Sequence, residues 1–220
     1  MDFDAVVFDM DGVLFDSERA TMGCWRTVAE AYGITQIDGV FLRCVGTTHA
    51  KNCEILRQAY GADFPAQAFV EKAQDLLCAR YDRGNVPFKA GVPALLDALK
   101  AHDKRIGLAT SSYRAVVERR LNAAGILNRF CAVICGDAVP NSKPAPDIYK
   151  IACERLGVEP HRAVAIEDSY NGIRSASAAG LLPVMVPDLL PPTDEMTKLS
   201  AAVLPDLLAV RSYLFRTNQK

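Results

Sequence analysis

The sequence predicts an α/β fold in which helices cover a parallel β-sheet and an all-helical segment is inserted after the first strand. A hydrophobic run, AVVF, opens the chain at residues 5–8 and is typical of a short buried strand. Helical periodicity follows, and farther along the chain helical patterns alternate with short hydrophobic runs, which favours a parallel sheet covered on both faces. We therefore divide the chain into an α/β core domain, residues 1–16 and 85–220, and a helical cap domain, residues 17–84.

Three helices are predicted in the cap domain. Apolar residues recur at helical spacing before Gly33, across residues 49–60 before Gly61, and in the run PAQAFVEKAQDLLCARYDRG before Gly84. Glycine commonly ends a helix because it tolerates the left-handed conformation of a C-cap. These apolar stripes indicate core packing and not a binding surface.

The core domain is predicted to alternate helix and strand. Each of four helices precedes a short strand, in the order 92–102 before RIGLATS, 113–124 before CAVICG, 147–156 before AVAIED and 169–179 before LPVMVP. A last short strand near AAVL then leads into a terminal helix. No internal repeat or low-complexity tract appears, and the short connections between helix and strand favour a parallel sheet.

Composition and charge exclude several classes of protein. The chain has 220 residues, of which 50% are hydrophobic, and its formal net charge is −1, so it has no electrostatic attraction to nucleic acid or to an anionic membrane. The ERR triplet at 118–120 is interpreted as a solvated helix face.

The seven cysteines form no CxxC pair, which favours buried reduced thiols, with Cys131 and Cys135 on one face of a strand. The N-terminus shows no signal peptide or anchor, so we expect a cytoplasmic protein, with monomer as the default state.

Polar side chains follow four of the predicted strands. In open α/β sheets, ligands bind beyond the carboxyl ends of the strands. The residues at those ends are Asp9 and Asp11 after the first strand, Thr110, Ser111 and Ser112 after RIGLA, Lys143 after CAVICG, and Glu167 and Asp168 after AVAI. Because the strands are parallel, we expect these groups to meet at one edge of the sheet.

The charge balance of this edge indicates its ligand. Four converging carboxylates would raise one another's pKa, and a hard divalent cation relieves that conflict. Carboxylates that leave room for water suit Mg²⁺. A lysine and a hydroxyl beside the cation complete a pocket for a dianion, which we interpret as phosphate.

Four motifs support this interpretation by a family resemblance. DMDGVLFDSE, LATSS, SKPAPDIY and EDSYNGI resemble the four motifs of the haloacid dehalogenase superfamily, and the resemblance runs from residue 6 to about 187. The helical insertion resembles the cap of the branch that contains sugar-phosphate phosphatases and beta-phosphoglucomutase. The resemblance implies a Rossmann-like core and an enzyme that hydrolyses phosphoric monoesters.

The resemblance also implies residue roles. Asp9 would be the nucleophile that forms an aspartyl phosphate, and Asp11 would protonate the leaving oxygen and then accept a proton from water. The implied metal ligands lie on the same motifs: Asp9, the Asp11 carbonyl, Asp168 and, through water, Glu167. The implied phosphate ligands are Thr110, the Ser111 amide and Lys143.

Three functions remain to be compared. Beta-phosphoglucomutase typically has a histidine where this chain has Thr21, and a cap loop with a lysine and an arginine where CVGTTHA keeps only Gly46, so a phosphatase is favoured over a phosphohexomutase. A receiver-like phosphoacceptor module is disfavoured because receivers are shorter and lack a helical cap. Dehalogenation does not need Asp11 or the metal site.

Substrate specificity is assigned to the cap domain. Its candidate residues are mostly polar, and they are Glu18, Arg19, Thr21, Arg43, Gly46, Thr47, Thr48 and His49. His49 is interpreted as a loop histidine. A mixed polar set of this kind suits a hydroxylated, sugar-like leaving group, although the sequence does not identify the metabolite.

Overall fold

The computed structural model describes residues 2–81 and 86–216. Strand β1 (Ala5–Phe8) opens the fold. Four helices follow it, and they are α1 (Ser17–Ala31), α2 (Asp38–Cys44), α3 (His49–Tyr60) and α4 (Ala66–Tyr81). Helix α2 was not predicted because its seven residues are too few to show a clear helical period. The predicted stop of the last cap helix at Gly84 lies outside the described residues.

Helices and strands then alternate as predicted. The elements are α5 (Val92–Ala101), β2 (Arg105–Ala109), α6 (Arg114–Ala123), β3 (Ala132–Ile134), α7 (Asp147–Leu156), β4 (Ala163–Glu167), α8 (Tyr170–Ala178), β5 (Leu182–Met185), α9 (Asp194–Leu199), β6 (Ala202–Val203) and α10 (Leu207–Leu214). The short α9 was not predicted. Its N-cap is Thr193, whose side chain accepts a hydrogen bond from the amide of Met196.

All six strands are parallel and have the order β3-β2-β1-β4-β5-β6, which confirms the α/β fold class. Strand β1 therefore lies between β2 and β4. In register, Phe8 pairs with Leu108 on one side and with Ile166 on the other. The residues that follow these three strands consequently meet at the same edge of the sheet.

The alternation of side chains along β1 separates the core into two layers. Val6 and Phe8 belong to the hydrophobic cluster that includes residues of α5, α6 and α10, whereas Ala5 and Val7 belong to the cluster with residues of α7 and α8. Successive strand side chains point to opposite faces, so a strand covered on both faces is apolar at every position. This explains the continuous AVVF run.

The helical insertion has a hydrophobic cluster of its own, built from α1 to α4. The ring of Trp25 packs edge-to-face against Phe41 at 5.1 Å and Phe69 at 5.3 Å between centroids.

Two linker segments, residues 14–16 and 87–89, join these helices to the sheet and hydrogen-bond to each other. Asp16 N donates to Pro87 O at 2.9 Å, and Lys89 N donates to Leu14 O at 3.0 Å.

The cysteine prediction is only partly confirmed. Five thiols are buried, at positions 24, 44, 53, 135 and 153. Cys131 is exposed while Cys135 is buried, so the prediction that both face one side of a strand is wrong. The reason is that β3 covers only Ala132–Ile134 and leaves both cysteines beyond its ends.

Among the described residues, no helix combines the length and hydrophobicity that crossing a membrane requires.

Candidate active site

A cavity of about 330 Å³ lies between the carboxyl edge of the sheet and the inserted helices. Six of the predicted core site residues line it: Asp9, Asp11, Thr110, Ser111, Lys143 and Asp168. Six of the predicted cap residues also line it: Glu18, Thr21, Gly46, Thr47, Thr48 and His49. Groups from both halves of the fold therefore face one space.

Lys143 is the buried cation of this site. Its Nζ donates to Asp9 Oδ1 at 2.6 Å, to Glu167 Oε1 at 2.6 Å and to the Ala109 carbonyl at 2.9 Å. The lysine side chain is only 3% exposed. An ammonium group has three protons to donate, so these contacts use its full donor capacity.

The carboxylates around Lys143 carry an excess of negative charge. Burial raises the pKa of Asp9 to about 7, and the charges of Glu167 and Asp11 act in the same direction against Lys143. Burial also raises the pKa of Asp168 well above its usual value, with Asp9 and Glu167 adding to the shift. One lysine does not balance these acids, so the site favours an additional cation.

Three of these acids are close enough to share a metal ion. One oxygen from each of Asp9, Glu167 and Asp168 can be chosen so that all three lie within 4.8 Å of one another. The glycine at position 12 makes room for this group: it has a φ of +79°, and a Cβ there would lie 2.2 Å from Asp168 Oδ2. Oxygen ligands with excess negative charge fit a hard cation.

Glu167 lies beneath the cavity and is not among the residues that line it. It is fully buried, and its Oε1 accepts hydrogen bonds from Lys143 Nζ and from Tyr149 Oη at 2.6 Å. Its Oε2 accepts a hydrogen bond from Ser169 Oγ at 3.1 Å. Helix α8 packs tightly over it, since a Cβ on Gly172 would lie 2.0 Å from the Glu167 carboxyl carbon. Glu167 therefore holds Lys143 in place while remaining near the acidic cluster.

Asp11 is held by a second set of contacts. Its Oδ1 accepts hydrogen bonds from Ser17 Oγ at 2.6 Å and Arg120 Nη1 at 2.5 Å, and its Oδ2 accepts one from Ser112 Oγ at 2.8 Å. Burial acts to raise the pKa of Asp11, but the Arg120 charge and the hydrogen bonds from the two serines outweigh it and lower the pKa. Asp11 is thus held by donors from α1, from α6 and from the loop after β2.

The interpretation of ERR as a solvated helix face is confirmed for Glu118 and Arg119, which are exposed, and wrong for Arg120. Arg120 is only 6% exposed, and the apolar side of α6 also carries the buried Val117 and Leu121. Residues three and four apart share a helix face, so the spacing from Val117 was a usable signal. Sequence reasoning missed Arg120 because an arginine between charged neighbours is usually exposed.

The loop after β2, which carries Thr110 and Ser111, lies against the segment that follows β3. Thr110 is buried, and its Oγ1 accepts a hydrogen bond from the Ser112 amide at 3.1 Å. A Cβ on Gly136 would lie 2.2 Å from the Ser111 carbonyl oxygen. The absence of a side chain at position 136 therefore lets the loop that carries Thr110 and Ser111 approach closely.

Residues of the inserted helices cover the cavity. Burial raises the pKa of Glu18 to about 8, with the charges of Asp11 and Asp188 acting in the same direction. Thr21 Oγ1 donates to the Ser17 carbonyl within α1 at 2.8 Å, and Thr47 Oγ1 lies 2.6 Å from Asn52 Oδ1. These contacts place the hydroxyls at the cavity wall.

His49 and Gly46 mark the part of the insertion nearest the core. His49 is the first residue of α3 and not a loop residue, because Thr48 caps the helix by accepting a hydrogen bond from the Lys51 amide. The Gly46 carbonyl accepts a hydrogen bond from Asn171 Nδ2 at 3.3 Å. A Cβ on Gly46 would lie 2.7 Å from Ser169 Cβ, so this glycine permits the contact between the two halves.

The structure does not bring the two cap arginines to the cavity. On α2, Phe41 and Cys44 face inward, and Arg43 is exposed between them. Arg19 forms ion pairs with Asp16 at 3.0 Å and with Asp188. Arg43 and Arg19 therefore make no contribution to the cavity wall.

The fold and site together define a protein of the α/β class whose acidic residues, lysine and hydroxyls lie at the carboxyl edge of a parallel sheet. A family model described as haloacid dehalogenase-like hydrolase matches residues 3–180. The chain therefore belongs to the haloacid dehalogenase-like hydrolases, and it is a phosphoric monoester hydrolase.

Individual relatives agree with this assignment. The chain is 32% identical over 178 residues, 81% of its length and 82% of the relative's, to phosphorylated carbohydrates phosphatase of Thermotoga maritima. The structure of CbbY from Rhodobacter sphaeroides in complex with phosphate has a TM-score of 0.77 at 27% identity, covering 93% of this chain and 94% of that one. A hydrolase of the same family from Deinococcus radiodurans, with bound phosphate and sodium, has a TM-score of 0.77 at 27% identity, covering 97% and 96%.

Proposed function

We propose that this protein is a Mg²⁺-dependent phosphatase that hydrolyses a small phosphorylated metabolite, a sugar phosphate, through an aspartyl-phosphate intermediate on Asp9. The main support is the position of Asp9 and Asp11 in the cavity, at the end of strand β1. Lys143 donates a hydrogen bond to Asp9 there. Supporting this, a relative is named a phosphatase of phosphorylated carbohydrates.

The proposed residue roles follow the positions of the side chains. Asp9 attacks phosphorus, while Lys143, the Thr110 hydroxyl and the Ser111 amide bind the phosphoryl oxygens. Asp11 gives a proton to the leaving oxygen and later takes one from the attacking water. Glu167 and the Ala109 carbonyl keep the lysine in place, so a phosphoryl oxygen can take over the hydrogen bond that Lys143 donates to Asp9.

The proposed metal site uses the acidic cluster. Asp9, the Asp11 carbonyl and Asp168 would hold Mg²⁺, with Glu167 acting through water. When bound, the ion supplies positive charge that stabilises the phosphoryl group in the transition state. The raised pKa of Asp9 and of Asp168 supports this assignment, because burial and the neighbouring carboxylates disfavour the ionised acids and a bound cation would oppose both effects.

The charges around the cavity support a neutral, hydroxylated leaving group. Among the described residues, one lysine and one arginine line the cavity. They are Lys143 and Arg120, and both contact carboxylates. A phosphohexomutase must also bind the second phosphate of a bisphosphate. Among the described residues that line the cavity, His49 is the basic residue left for this second phosphate. The threonines at positions 21, 47 and 48 instead suit sugar hydroxyls.

The test is phosphate release from a panel of sugar monophosphates, with and without Mg²⁺. We expect Mg²⁺-dependent release that Asp9→Asn abolishes and that Asp63→Asn, a change at an exposed turn residue, leaves intact. Interconversion of hexose phosphates after priming with a bisphosphate, without net release, would instead establish the mutase. Release that survives in Asp9→Asn would refute the nucleophile assignment.

We also propose that the division into a core domain, residues 1–16 and 85–220, and a cap domain, residues 17–84, corresponds to two bodies that close over the substrate. The separate hydrophobic cluster of α1 to α4 and the paired linker segments support this division. Phosphate analogue and Mg²⁺ should slow hydrogen exchange in the linker segments and around Gly46. Unchanged exchange at both places would count against closure.

A further inference from the structure

The contact between Arg120 and Asp11 joins the flank of the core to the proton-transferring carboxylate. Arg120 extends from α6, and its side chain is 5% exposed. Its Nη1 lies 2.5 Å from Asp11 Oδ1, which also accepts the Ser17 hydroxyl at 2.6 Å. Among the described residues, the hydrogen bond to Asp11 Oδ2 comes from the Ser112 hydroxyl.

We propose that Arg120 is a positioning residue, which fixes Asp11 by Oδ1 so that Oδ2 is the oxygen that gives and takes the proton. This inference rests on the proposed phosphatase function. Arg120 acts through Asp11, and its role is to orient the carboxylate relative to the bond that breaks.

The donor chemistry of the two oxygens differs in a way that selects Oδ2. A guanidinium group donates hydrogen bonds and cannot accept one, and Oδ1 already accepts from both Arg120 and Ser17, so a proton is less stable on Oδ1 than on Oδ2. The Ser112 hydroxyl can rotate and either donate or accept, so it tolerates both the protonated and the ionised form of Oδ2. The same carboxylate can therefore serve in both proton transfers without changing its orientation.

The origin of each donor indicates which contact persists. Ser17 is the first residue of α1 and belongs to the inserted helices, whereas Arg120 and Ser112 belong to the core. Helix α6 begins at Arg114, four residues after Thr110 in the phosphate-binding loop. Arg120 is thus attached to the same rigid edge as the proposed phosphate site, and it holds Asp11 whether the inserted helices move or not.

The balance of the two chemical steps gives a distinctive signature. In the first step, the Asp9–phosphorus bond forms, the phosphorus–oxygen bond to the leaving group breaks, and the proton on Asp11 Oδ2 moves to the leaving oxygen. In the second, water attacks the phosphoryl group, its proton moves to Oδ2, and the carboxylate of Asp9 is regenerated. A poor alkoxide leaving group needs the first proton, while p-nitrophenolate leaves without it.

The test therefore compares leaving groups in Arg120→Met, in Arg120→Lys and in Arg155→Met, which changes an exposed arginine of α7. With a sugar phosphate, kcat/KM of Arg120→Met should fall about 10- to 100-fold, whereas kcat/KM for p-nitrophenyl phosphate should change by less than about threefold. Turnover of p-nitrophenyl phosphate should slow, and acid-quenched enzyme should retain more aspartyl phosphate, because the second proton transfer is impaired. Arg120→Lys should recover part of the loss, and Arg155→Met should behave like the parent protein.

Three results would overturn the inference. These are an equal loss of kcat/KM with both substrates, no loss with either, or a larger loss with the aryl phosphate. If Arg120→Met does not fold, the same comparison in Arg120→Gln decides the question. Failure of the proposed function is separately visible, because the unaltered protein would then show no Asp9-dependent phosphate release.

Discussion

Replacing Lys143 by methionine should destabilise the protein strongly, because it removes the one buried cation that contacts both Asp9 and Glu167. The two Nζ–carboxylate distances are 2.6 Å, and Glu167 is fully buried. Removing one partner of a buried ion pair typically costs about 3–5 kcal/mol, since the remaining charge is left uncompensated. For a protein of 220 residues, each kcal/mol lowers Tm by about 2–4 °C, so the expected decrease is about 6–20 °C.

The measurement is thermal unfolding at about pH 8 in the presence of a chelator, with Lys150→Met as the control because Lys150 is exposed on α7. Near pH 5 the destabilisation should be smaller, because the carboxyl groups left behind can bind protons in the folded state. Adding Glu167→Gln to Lys143→Met should also recover stability by removing one of the two charges. A decrease in Tm no larger than that of Lys150→Met would refute the reasoning.

Two further predictions concern the acidic cluster. Gly172→Ala should cost about 1–3 kcal/mol of unfolding free energy, because its Cβ would displace the Glu167 carboxylate, and an unchanged denaturation midpoint would contradict this. Mg²⁺ should raise Tm more at about pH 8 than at about pH 5. Burial raises the pKa of Asp9 to about 7 and that of Asp168 well above its usual value, so folding stability falls as pH rises toward 7 and Mg²⁺ offsets that loss only where the acids are ionised. Equal increases in Tm at the two pH values would show that the cation does not bind these carboxylates.

The core of the fold could be predicted because its periodicities are simple. Helix α7 was predicted at 147–156, where it lies, and the parallel sheet followed from the alternation of helices and hydrophobic runs. The meeting of Asp9, Thr110 and Asp168 followed from strand direction alone, since parallel strands bring their carboxyl ends to one edge.

The contacts that the sequence did not reveal depend on tertiary packing. Nothing in the local sequence around Tyr149 indicates that its hydroxyl donates to Glu167, because the two residues meet only when α7 packs on the sheet. Arg120 was missed because composition favours a solvated arginine, although its spacing from Val117 placed it on the buried face of α6. Arg43 was assigned from a short segment in which α2 was not recognised. His49 was interpreted as a loop residue although a helix was predicted across residues 49–60, and α3 does begin at His49.

The central position of β1 has a consequence for how the chain folds during synthesis. Residues 5–8 pair with residues 105–108 and 163–166, which are made much later in translation. The neighbouring helices α1 to α4 share a hydrophobic cluster of their own, so they can fold while translation continues. The nascent chain therefore carries this apolar strand unpaired while its partner strands are still to be made, and the strand is open to aggregation or chaperone binding until β4 emerges.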